Sequence, residues 1–80
     1  MSWFSFYAHL SDAGSVLNRL GFSLVATNDS EPNAYRTYIT RDALAVEYDG
    51  KLEVWSQHMS VLGPLREKVH AASEIKTFDL

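Results

Sequence analysis

Residues 44–55 read LAVEYDGKLEVW, two runs rich in Val, Leu, Tyr and Trp around the pair Asp49-Gly50. Such a pair between apolar runs is the strongest short-range signal for a β-hairpin. Two registers compete. A two-residue loop pairs Glu47 with Leu52 and Val46 with Glu53, which sets an apolar residue opposite a charge on both faces. A three-residue loop, Tyr48-Asp49-Gly50, pairs Glu47 with Lys51, Val46 with Leu52 and Leu44 with Val54. One face is then apolar and the other carries an opposite-charge pair, and Gly50 suits the positive φ that closes such a loop. The expected hairpin is the bulged one, with Tyr48 in the turn.

Before the hairpin, residues 35–40 alternate as a strand, with Tyr35, Thr37 and Ile39 on one face and Arg36, Tyr38 and Thr40 on the other. The alternation loses phase before Leu44, so a tight turn or bulge is expected near Arg41-Asp42. Residues 28–33, NDSEPN, form a polar loop, the segment expected to move most. Residues 22–27 read as a strand. Residues 12–20 read as a helix with the apolar stripe Ala13, Val16, Leu17 and Leu20. Ser11 is its expected N-cap, Asp12 suits the positive end of its dipole, and Gly21 ends it in a left-handed conformation, with Phe22 folding back onto Leu17. Gly14 weakens this helix by about 1 kcal/mol relative to Ala. Residues 3–8, WFSFYA, favour a strand by their aromatic content. Trp3, Phe6, Tyr7 and Leu10 nevertheless also fit helical spacing.

After the hairpin comes a second helix, with Pro64 in its first turn, Leu62, Leu65, Val69 and Ala72 inward, and Arg66, Glu67, Lys68 and His70 toward water. Residues 75–78 read as a short closing strand. Two stretches, one at each end of the chain, then read as β-α-β. The expected architecture is a single α+β domain over residues 1–80, an antiparallel sheet of four to six strands with two helices on one face. Its connectivity would be ferredoxin-like or, if residues 3–10 are helical, α-β-meander-α.

Composition narrows the function. Apolar residues are 46% of the chain and charged ones 21%, the balance of a folded domain. With no cysteine there are no disulfides and no thiolate metal sites, which fits a reducing compartment. No apolar run spans a bilayer, and MSWFSFYAHLSD lacks the basic start of a signal peptide, so the expected location is cytoplasmic. The net charge of −3, with seven dispersed basic residues, argues against direct nucleic-acid binding. No GxSxG elbow, phosphate-binding glycine loop, HExxH or calcium loop is present.

The candidates for chemistry are few. In the ferredoxin-like arrangement His9 and His58 leave parallel central strands at the same end of the sheet, with Asp12 and Gln57 nearby, a place for a metal or an acid–base pair. Two histidines are one ligand short of a zinc site, and loop-facing solvated histidines are the plainer alternative. Glu47, Asp49 and Glu53 gather on the hairpin, as solvated charge or as a surface for a basic partner. A sheet covered on one face leaves the other open, and Arg36, Tyr38 and Trp55 are the candidates for it, being residue types that dominate binding hot spots.

The expected function is therefore non-enzymatic: a small inhibitor or adaptor, without cofactor, that binds another protein, a larger assembly. Its candidate contacts are Arg36, Tyr38, Glu47, Asp49, Glu53 and Trp55. Its size and acidity also suit a phage-encoded inhibitor of bacterial defence such as an anti-CRISPR protein, although no motif carries that. The alternative is a homodimeric ferredoxin-like ligand-binding protein or enzyme that uses His9 and His58.

Overall fold

The structure, a computed structural model, describes residues 2–30, 34–48 and 50–78, with side chains up to residue 72. The elements run β1 (Phe4–Ala8), α1 (Ala13–Arg19), β2 (Ser23–Asn28), β3 (Tyr35–Thr40), β4 (Ala43–Tyr48), β5 (Lys51–Ser56) and α2 (Met59–Phe78). The strands form one antiparallel sheet in the order β1-β5-β4-β3-β2. Strands β2 to β5 are a simple meander. β1 closes it on the β5 side, and α1 carries the chain from that edge to the other.

Of residues 3–8, Phe4–Ala8 form a strand rather than a helix, and the α+β class holds. The ferredoxin-like connectivity does not. Residues 75–78 continue α2 instead of forming a strand, and β1 and β5 are antiparallel, so the chain contains no second β-α-β unit. α2 also starts at Met59, earlier than Pro64 implies. Its first turn is closed by Val61 and Leu62 N–H groups donating to the His58 carbonyl (3.0 and 3.1 Å). Pro64 lies inside the helix, where it leaves the Ser60 carbonyl without its usual donor. The expected stripe is nonetheless inward: Leu62 and Val69 are buried, and Leu65 and Ala72 are partly so.

The central hairpin takes the other register. Tyr48 pairs with Lys51, Glu47 with Leu52, Val46 with Glu53 and Leu44 with Trp55, which leaves only two residues between the strands. Gly50 has φ +72°, while Asp49 lies outside the described residues. The objection to this register was the charge opposite an apolar residue on each face. Tyrosines remove it: Glu47 accepts from the Tyr38 hydroxyl at 3.1 Å, and Glu53 accepts from that of Tyr48 at 3.5 Å. The buried residues of β4 are consequently the small Ala43 and Ala45, with Ala45 opposite Val54. The turn expected at Arg41-Asp42 is present, between the paired Thr40 and Ala43.

Sheet alternation puts Phe6, Ala8, Tyr38, Ala43, Ala45, Leu52 and Val54 on one face, where they join Ala13, Val16, Leu17, Phe22, Leu62 and Val69 of the helical side in a single core. Leu52 and Val54 are wholly buried, and each such side chain contributes about 1.5–3 kcal/mol. α1 begins from Asp12 rather than Ser11, with the Asp12 carbonyl accepting from Ser15 and Val16. It ends as expected, in a Schellman arrangement: Gly21 (φ +93°) donates to Asn18 and Phe22 donates to Leu17 at 2.9 Å. The mobility expected for the 28–33 loop falls partly on residues 31–33, outside the described residues.

Ser56 is the one fully buried polar side chain among those described. It donates to the Asp42 carbonyl at 2.7 Å and accepts from the His58 amide at 3.1 Å, tying the β3–β4 turn to the start of α2. Ser56→Ala leaves both backbone groups without their partner and should cost about 1–3 kcal/mol in urea unfolding. The glycine of α1 has a similar logic. A Cβ on Gly14 would stand 3.1 Å from the Tyr38 hydroxyl oxygen. Gly14→Ala should therefore yield its helical gain of about 1 kcal/mol only in a Tyr38→Phe background, a difference that a double-mutant cycle measures.

Candidate interaction face

With both helices on one side, the opposite face of the sheet is bare, and strand register lays its residues out in rows. One row runs Ser5, Trp55, Leu44, Ile39, Ser23, and the next runs Tyr7, Glu53, Val46, Thr37, Ala26. A third runs Lys51, Tyr48, Tyr35, Asn28. Trp55, Leu44 and Val46 are half-buried by their neighbours and form the floor. Tyr7, Tyr35, Ile39 and Tyr48 stand higher, from 37% to 58% exposed. Glu53 sits among them on the central row, directly opposite Tyr7 on β1 and near Tyr48 on β4. Its hydrogen bond to Tyr7, then its negative charge, hold the Tyr7 hydroxyl above its ordinary value of 10.0.

The six contact candidates do not share one surface. Glu53 and Trp55 are on the bare face, and Asp49 is outside the described residues. Arg36, Tyr38 and Glu47 are on the helical face instead, a correction to the placement of Arg36 and Tyr38 on the open side. The two faces of β3 were separated correctly but assigned to the wrong sides. Tyr38 is 6% exposed and belongs to the core, so its alternates Tyr35 and Ile39 face outward. Those two, with Tyr7, Leu44 and Tyr48, are what sequence reasoning missed. Period-two alternation was the available signal, once the sign of one strand was known.

The displaced trio has its own geometry. Tyr38 donates to Glu47, and Arg36 lies 3.9 Å from both Glu47 and Asp29. They border a cleft of about 420 Å³ against Gly14 and Asp12 of the α1 start. The Arg36 pairs are long and solvated and contribute little. Burial, then the hydrogen bond to Glu47, raises the Tyr38 hydroxyl above 10.0.

His9 and His58 are not neighbours. Because β1 and β5 are antiparallel, His9 follows Ala8 at the Leu52 end of the sheet while His58 follows Ser56 at the Phe4 end. The shared metal or acid–base site required parallel strands, and the topology removes it. Among the described residues no group of three His, Asp or Glu side chains is placed to hold a metal ion. His70, expected in water, is exposed but also lies tilted against Phe6, 5.8 Å between ring centroids. No helix among the described residues is long and apolar enough to cross a membrane. No protein family, curated protein or solved structure matches the chain.

The two tyrosines give a pH test. Each has a folded pKa raised above 10.0, so the stability tied to its neutral form is complete below 10.0 and is lost as pH rises through the folded value. In an NMR titration of the ring carbons, Glu53→Gln should bring Tyr7 down toward 10.0 and leave Tyr38 unmoved. Glu47→Gln should lower Tyr38 alone.

Proposed function

We propose that this protein is a non-enzymatic binding module, an inhibitor or adaptor such as a phage-encoded inhibitor of a bacterial defence system, that grips a larger protein assembly with the bare face of its sheet. The observation that supports the reading is the exposure of Tyr7, Tyr35, Ile39 and Tyr48 over a floor of Leu44, Val46 and Trp55. Contiguous apolar surface of this kind is uncommon on proteins that act alone. Tyrosine and tryptophan offer large rigid contact area with a polar tip, the chemistry found at the centre of protein interfaces. Glu53 and Lys51 supply charge of both signs at the same surface. A net charge of −3 disfavours a nucleic-acid partner, and the lack of cysteine suits the cytoplasm.

The experiment is affinity retention from lysate by tagged protein, read against single variants. One stoichiometric partner should be retained. Ile39→Lys and Tyr35→Ala should weaken that binding at least about tenfold, equivalent to about 1.4 kcal/mol, while Arg19→Ala on exposed α1 should leave it unchanged. Binding that survives Ile39→Lys and fails in Arg36→Ala would move the contact to the helical side. Retention of nothing would overturn the reading.

A further inference from the structure

β1 is an edge strand of the sheet, paired on one side only. We infer that β1 pairs antiparallel with β1 of a second copy, about a two-fold axis at Phe6, joining two five-stranded sheets into one. β1 is bonded to β5 alone, so its other edge presents unpaired backbone groups. Natural edges are blunted by charge, proline or a bulge, and FSFYA has none of these. The opposite edge, β2, is interrupted by a bulge between Leu24 and Ala26 and is a poorer template. Trp3, Phe4, Tyr7 and Met59, each between 41% and 58% exposed, all stand at the β1 edge. Beside it runs an open groove of about 1180 Å³ between β1 and α2.

Three features fit this groove to a second copy. The first is size. Antiparallel pairing about Phe6 sets Phe4 opposite Ala8 and Ser5 opposite Tyr7, a large residue against a small one, while Phe6, buried in its own core, meets its copy at the axis. The second is spacing. α2 rests on β1 and β5, and strands lie about 4.8 Å apart, so its axis is about 5 Å from the two-fold. The two α2 helices then meet at about 10 Å, the ordinary packing distance. The third is charge. Arg66 and Glu67 both line the groove, so each copy offers an acid and a base to the other across the two-fold.

The test needs only the purified protein, so its outcome is separate from that of the partner search. Sedimentation equilibrium should give about twice the chain mass of 9.0 kDa at micromolar concentration. Met59→Glu puts a charge in the groove while adding an acid to a first helical turn that has none, which favours the folded monomer. It should weaken the dimer at least about tenfold with an unchanged circular dichroism spectrum, and Phe4→Lys should do the same. Hydrogen exchange should show the β1 amides not bonded to β5 protected in the wild type and released in Met59→Glu. A chain that stays monomeric to millimolar concentration overturns the inference. So does a dimer that survives both variants but is broken by Ile39→Lys, which would mean face-to-face packing of the sheets.

Discussion

Leu52 and Val54 are wholly buried because β5 lies between β1 and β4 with both helices on the same side. The rest of the structure follows from that one-sided covering. A chain of this length forms a single core, and both of its helices are spent on one face of a five-stranded sheet. Alternation along β1, β3, β4 and β5 then sorts their residues between the helical side and the bare surface. Small side chains at Ala43, Ala45 and Gly14 give the larger ones room to close the covered side. The aromatic residues left over have nowhere to go but out.

The same constraint accounts for the polar chemistry. Glu47 and Glu53 face opposite sides of the sheet, and each carboxylate meets tyrosine hydroxyls rather than a buried cation. A carboxylate that accepts from a tyrosine tolerates an apolar cross-strand neighbour, because its hydrogen bonding is met sideways along its own face. This makes the two-residue hairpin acceptable despite Leu52 opposite Glu47 and Glu53 opposite Val46. Counting only the residue directly opposite misjudges such a register. Neighbours on the next strand, Tyr38 and Tyr48, decide it.

Much of the fold was legible in local pattern. The strand nature of residues 35–40, the turn at Arg41-Asp42, the Gly21 terminus of α1 and the inward stripe of α2 each depend on residues close in sequence. The candidate site was less so. Trp55 and Glu53 could be named, but Tyr35 and Ile39 were passed over for Arg36 and Tyr38. Alternation divides a strand into two faces without saying which one a helix will cover. A tyrosine suits either side, and Tyr38 is inward because Gly14 on α1 leaves space for its hydroxyl and Glu47 accepts from it.

The sequence by itself determined the α+β class, most element positions, the lack of thiol chemistry and the acidic balance, since these rest on composition and short-range stereochemistry. Tertiary structure alone decided strand order, hairpin register, the separation of His9 from His58 and the identity of the bare face. Those outcomes turn on which distant residues meet. The antiparallel pairing of β1 with β5 joins residues about fifty positions apart, and no periodicity within either strand specifies its partner or its direction.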